Sequence, residues 1–132
     1  MANLVLDTYP LIAFFEEQKE ATTVERILRE SKQAGRKMYL STINAGEIWY
    51  TVTRSHSKND ADQVMRDIYQ LEIRILPVDW QLTQIAAQFK VPGGISYADC
   101  FAAALAKSQN APLVTGDREF ERLADDIEIM WV

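Results

Sequence analysis

Two periodicities alternate along the chain. Short apolar runs bounded by polar or glycine-containing stretches predict five strands: Leu4-Val5-Leu6, Met38-Tyr39-Leu40, Ile73 to Val78, Pro112-Leu113-Val114-Thr115 and Ile127 to Val132. Between them apolar residues recur at spacings of three and four, as in helices that bury one face. A helix is predicted from about Pro10, because proline is tolerated in a first helical turn. Thr22-x-x-Glu25 has the form of a capping box for a helix through Gln33, which Gly35 then stops. Ala45, Ile48, Trp49 and Val52 share one face of a helix from about Thr42 to Thr53. Val64, Ile68 and Leu71 do the same in a segment that opens with Asn59-Asp60. Asp79 is placed to cap a helix that turns Leu82, Ile85, Ala86 and Phe89 inward. Ser96-x-x-Asp99 opens an alanine-rich helix to about Gln109. Pro92-Gly93-Gly94 reads as a loop, Gly116-Asp117 as a turn, and Phe120 to Leu123 as part of a short helix.

Strands separated by helices pair in parallel through crossovers. The expected fold class is therefore α/β, a three-layer α/β/α sandwich with a central parallel sheet. At 132 residues, 48% apolar and 25% charged, the chain fits one globular domain over residues 1–132 and excludes a disordered tail or a fibrous repeat. The longest apolar run, Cys100 to Ala106, is far short of the roughly 20 residues that span a bilayer, so no membrane partner is expected. The N-terminus lacks the basic region of a signal peptide, and a cytoplasmic location is the default. Cys100 is the single cysteine, which excludes an internal disulfide framework and a multi-cysteine zinc site. It reads as a small core residue, and His56, in a polar stretch, as a surface or helix-end residue.

Fourteen Lys and Arg against nineteen Asp and Glu give a net charge of −5, which does not favour nonspecific duplex binding. The distribution of the acids says more than their number. Ligands of open parallel sheets collect beyond the carboxyl ends of the strands. Asp7 directly follows the first strand and Asp117 follows the fourth. Asp99 lies in the first turn of the alanine-rich helix and Glu47 in the second turn of the helix after the second strand. Each has an ordinary reading on its own. Asp117 suits an N-cap, Asp99 a capping box with Ser96, Glu47 a solvated helix position, and Asp7 a turn or N-cap. All four at one edge are harder to explain that way. Four neighbouring carboxylates repel unless a proton or cation intervenes. Without a cluster of histidine or cysteine they suit a hard ion, Mg²⁺ or Mn²⁺, and so metal-assisted phosphodiester hydrolysis.

Four strings occur in order: Leu4-Val5-Leu6-Asp7-Thr8, Asn44-Ala45-Gly46-Glu47-Ile48, Ser96-Tyr97-Ala98-Asp99-Cys100-Phe101 with the alanine-rich run after it, and Val114-Thr115-Gly116-Asp117-Arg118-Glu119-Phe120. Together they resemble the PIN-domain ribonucleases, specifically the VapC-type toxins of toxin–antitoxin pairs. The resemblance implies a PIN-like α/β/α domain in which Asp7, Glu47, Asp99 and Asp117 form the acidic cluster for Mg²⁺ or Mn²⁺. Asp7 and Asp99 match the most regular ligands, and Thr115 matches a supporting hydroxyl. It further implies an endoribonuclease of a type II toxin–antitoxin system, an RNA substrate, a small cognate antitoxin and a homodimer. One departure is Tyr9, where relatives often carry serine. Substrate contacts are expected from Arg54, seven residues beyond Glu47, and Arg118, with Lys58 and Arg122 behind them. The alternative is a non-catalytic PIN-like module that holds RNA or protein. An aspartyl-phosphate phosphatase or receiver ranks lower. Tyr9 stands where the phosphatase needs a second aspartate, and Thr115-Gly116-Asp117 offers no receiver lysine.

Overall fold

The five apolar runs form strands, and every one pairs in parallel with its neighbour. The computed structural model describes residues 3–132. Strands β1 (Leu4–Leu6), β2 (Met38–Ser41), β3 (Ile73–Leu76), β4 (Leu113–Thr115) and β5 (Ile129–Trp131) stand in the order β3-β2-β1-β4-β5. Helices α1 (Thr8–Phe15), α2 (Ala21–Gln33), α3 (Thr42–Ser55), α4 (Lys58–Gln70), α5 (Trp80–Lys90) and α6 (Tyr97–Gln109) connect them, and a 3-10 helix (Arg118–Leu123) follows β4.

Alternation along the central strands divides the core in two, since successive side chains leave a strand on opposite faces. Leu4, Leu6, Leu40 and Val114 pack with Leu11, Val24, Ile48 and Ile68 beneath α1 to α4. Val5, Tyr39 and Leu113 pack on the other face with Leu82, Ala86 and the alanines of α6. Helices thus cover both faces of the sheet, as the α/β/α expectation requires. The chain begins in the middle of the sheet, runs outward to β3, then returns to lay β4 on the free side of β1. The order reverses between β1 and β4. That reversal opens a crevice at their carboxyl ends, the usual ligand position in such sheets.

Several boundaries differ from expectation. Thr22 caps nothing: α2 starts at Ala21 with Glu20 at its N-cap. The Ala21 N–H bonds the Gln18 carbonyl and the Val24 N–H bonds the Glu20 carbonyl, so the turn before the helix places Thr22 within it. Helix α4 starts at Lys58, one residue before the expected Asn59, because Ser57 Oγ caps it by accepting the Asp60 N–H at 3.1 Å. Strand β3 ends at Leu76, before Pro77, which has no N–H for the ladder. The Asp79 and Ser96 caps form as expected, accepting from Leu82 N–H at 2.8 Å and Asp99 N–H at 3.1 Å. Gly35 adopts φ +73° after α2, a conformation that costs glycine little. Cys100 is buried, and His56 is the exposed C-cap of α3. Among the described residues no helix is long and apolar enough to cross a membrane.

Candidate active site

Asp7 sits at the crevice because β1 ends there. Its N–H continues the ladder to the Val114 carbonyl at 3.1 Å, and its side chain is only 1% exposed. It occupies the N-cap position of α1 without making a capping bond through its side chain. Instead the Thr115 hydroxyl donates to Asp7 Oδ2 at 2.8 Å. The same hydroxyl accepts the Asp117 N–H at 3.1 Å. One side chain at the end of β4 therefore orients both the carboxylate from β1 and the loop that carries Asp117. Asp7 Oδ1 is buried and has no hydrogen-bond partner.

The other acids arrive by local rules. The Ser96 cap starts α6 and places Asp99 in its first turn, almost fully buried. Asp117 caps the 3-10 helix, accepting from the Glu119 N–H at 2.9 Å. That tight turn brings Glu119 beside it, so that one carboxylate oxygen each from Asp99, Asp117 and Glu119 lies within 4.8 Å of the others. Glu47, half-buried on α3, lines the same cleft of about 400 Å³ together with Asp7, Asp99, Asp117 and Glu119. Below it a buried network joins three helix starts. Ser41 Oγ donates to Asn44 Oδ1 at 2.6 Å, and Asn44 Nδ2 donates to the Ala98 carbonyl at 3.2 Å and to Thr8 Oγ1 at 3.4 Å. The four acids picked from the sequence are thus neighbours. Glu119 was not among them: an acid two residues past Asp117 carries no periodic signal, and the 3-10 turn alone brings it in.

The electrostatics follow from this crowding. Burial pushes the Asp7 carboxyl up to about 7, with Asp99 and then Glu47 adding to the rise, while the Thr115 hydroxyl opposes it. Burial also raises Asp99 to about 7, reinforced by Asp117, Glu47 and Glu119 and opposed by Ser96. Near neutral pH the metal-free cleft therefore holds protons on carboxyl groups that a cation would displace. All candidate donors are carboxylate oxygens, which fits a hard divalent ion, and the orphaned Asp7 Oδ1 is a buried acceptor that such an ion would satisfy.

Among the described residues no lysine or arginine lines the cleft. Arg54 lies over the Tyr50 ring at 5.0 Å. Arg118 lies over the Trp131 ring at 4.5 Å and 3.4 Å from Glu121. Lys58 pairs with Asp62 at 3.1 Å, and Arg122 crosses over Gly94. Tyr9 does line the cleft, and its ring fills the space where a Cβ at position 116 would project; Cδ1 and Cζ would lie 2.9 Å from such an atom. Gly116 is thus the complement of Tyr9. Burial raises the Tyr9 hydroxyl pKa, reinforced by the Glu20 carboxylate.

Among curated proteins none matches it. Solved structures match over nearly its whole length. The DNA-bound VapBC of Salmonella typhimurium is 22% identical, covers 98% of each chain and has a TM-score of 0.80. VapC20 of Mycobacterium tuberculosis, a Sarcin-Ricin loop cleaving toxin, is 16% identical over 98% of this chain and 100% of its own, with a TM-score of 0.76. FitAcB of Neisseria gonorrhoeae is 23% identical over 96% of each, with a TM-score of 0.69. The family model of the PIN domain matches residues 4–126. That span runs from β1 past the 3-10 helix and takes in every carboxylate of the cleft, and the chain accordingly belongs to the PIN domain family.

Proposed function

We propose that this chain, as a single domain over residues 1–132, is a metal-dependent endoribonuclease and the toxin of a type II toxin–antitoxin pair. The observation that carries the reading is Asp7 Oδ1, buried without a partner in a cleft lined by four more carboxylates. Asp7 and Asp99 are the principal ligands for Mg²⁺ or Mn²⁺, with Glu47 and Asp117 completing the set and Glu119 within reach. When bound, such an ion supplies Lewis-acid polarisation of a phosphoryl oxygen and a water of lowered pKa.

The protein residues have separable tasks. Thr115 holds Asp7 Oδ2, which leaves Oδ1 directed to a ligand. Glu47 and Glu119, less buried than Asp7, are placed to accept a proton from water attacking phosphorus. Hydrolysis breaks one P–O bond and returns that proton to the leaving oxygen. Arg54 and Arg118, outside the cleft lining, would meet the RNA strand beyond the scissile bond. Tyr9 and Tyr97 offer rings to unstacked bases.

VapC20 is named as a toxin that cleaves the Sarcin-Ricin loop, which supports RNA as the substrate here. VapBC structures among the neighbours support a small antitoxin partner. A homodimer and a cytoplasmic setting complete the reading. The test is cleavage of an RNA transcript in Mg²⁺ or Mn²⁺, with Asp7→Asn and Asp99→Asn variants and a chelator control. Cleavage that is lost in both variants and in chelator supports the proposal. Undiminished cleavage in any of the three, or no calorimetric binding of either ion at millimolar concentration, would overturn it in favour of a non-catalytic module.

A further inference from the structure

A second groove is larger than the acid cleft. It has a volume of about 940 Å³ and lies at the opposite edge of the sheet, at the amino ends of β2 and β3 and the carboxyl ends of α2 and α4. Four cations line it, Lys32, Arg36, Lys37 and Arg74, against one carboxylate, Glu72. In a chain with net charge −5 this is a concentration of positive charge that composition does not explain. Among the described residues none of the four makes an ion pair, whereas Lys19, Arg26, Arg29, Lys58 and Arg118 each do. The Nε–H of Arg36 is buried and has no acceptor. Buried donors rarely stay unpaired, so this one points to a ligand oxygen. On the same rim Tyr69 is 82% exposed, with its ring free of the core.

The geometry points to a binding site for the phosphate backbone of single-stranded nucleic acid, with Tyr69 as a stacking platform for a base. The cations come from the end of α2, the loop after it and β3, spread along the groove and not gathered at one point. That suits a ligand with charge at regular intervals. Single-strand sites combine such a groove with an exposed aromatic ring, because every base has a face to stack. Strands of four residues are about 13 Å long, so groove and cleft are separate sites. A polyanion repelled by the acids would be drawn first to this edge. Binding here is independent of cleavage, so the groove and the nuclease reading fail separately.

The test is fluorescence anisotropy of a labelled single-stranded RNA of about 12 nucleotides with wild-type protein in chelator, where no metal-dependent cutting intervenes. Four phosphate contacts predict a slope of log affinity against log salt of about −3. Tyr69→Ala should weaken binding roughly 5- to 100-fold. Lys32→Glu with Arg74→Glu, both exposed, should abolish it. Lys19→Glu with Arg26→Glu, a matched change in net charge elsewhere, should leave it within about twofold. If the double reversal does not fold, Arg74→Gln should still lower both affinity and salt slope. Equal loss in the matched control, or no loss in Tyr69→Ala and Arg74→Gln, overturns the proposal. So does displacement of the RNA by an oligo-glutamate peptide of equal charge at equal concentration, which would assign the groove to an acidic protein segment.

Discussion

Replacing Asp7 by asparagine should make the metal-free protein more stable while removing its metal response. Burial, Asp99 and Glu47 raise the Asp7 carboxyl from 3.8 to about 7. A difference of about 3 units at about 1.4 kcal/mol each corresponds to about 4 kcal/mol. The sign follows from proton counting. Between the two pKa values the folded state holds a proton that the unfolded state has lost. Stability is therefore fully present below about pH 4 and declines as pH rises to about 7. An asparagine at position 7 is neutral throughout, and its carbonyl can still accept the Thr115 hydroxyl. In chelator the variant should thus gain up to about 4 kcal/mol at about pH 8, or on the order of 10–15 °C in Tm, and almost nothing at about pH 4. Asp99 is coupled to the same charge and will share part of the gain. Mn²⁺ at a hundredfold excess over Kd should raise the wild-type protein by about 2.7 kcal/mol at the higher pH and leave the variant unmoved. Thermal melting from about pH 4 to about pH 8, with and without the ion, reads all of this. A variant less stable than wild type in chelator at about pH 8, or wild-type stability that climbs through this range, would refute the reasoning.

Three further outcomes are expected. Thr115→Val keeps the shape but loses both hydrogen bonds of the hydroxyl. It should cost about 1–3 kcal/mol and weaken Mn²⁺ binding roughly 10- to 100-fold by calorimetric titration, whereas an unchanged Kd would exclude Thr115 from orienting Asp7. Gly116→Ala drives a methyl into the Tyr9 ring and should cost about 1–3 kcal/mol in denaturant unfolding; adding Tyr9→Ala should recover much of it, and strict additivity would disprove the contact. Glu119→Gln, on an exposed side chain, should leave the Tm in chelator within about 0.5 kcal/mol of wild type yet raise the Mn²⁺ Kd, and an unaltered Kd would remove Glu119 from the ligand set.

The strands and most helices were legible because each carries a local signal that tertiary packing reinforces. Leu4-Val5-Leu6 is wholly buried, and Asp79 and Ser96 cap the helices that follow them. The capping-box pattern at Thr22 misled because the turn before α2 already starts the helix at Ala21, and the helix expected from about Asn59 starts at Lys58 because Ser57 caps it. Asp7, Asp99 and Asp117 could be anticipated from one rule of parallel sheets, since each follows a strand or opens a helix; Glu47, in the second turn of α3, lies near the same edge, and Glu119 carried no signal. The basic residues were harder. Arg54 shares the helical face of Glu47, but seven residues make about 10 Å of helix, and its guanidinium rests on Tyr50. Arg118 follows Asp117 directly, yet the 3-10 turn swings it onto Trp131. The groove at the far edge left no trace in composition, because its four cations are diluted in an acidic chain.

The return of β4 to the free side of β1 sets the order in which the cleft can be assembled. During synthesis Asp7 emerges first, then Glu47 and Asp99, and only afterwards Thr115, Asp117 and Glu119. Until β4 docks, a nascent chain lacks two of the five carboxylates of the cleft and the hydroxyl that aims the first of them. Pairing residues more than a hundred positions apart is a slow, late event in folding. A product that stops short of β4 consequently has an incomplete cleft, whatever else of the sheet has already formed.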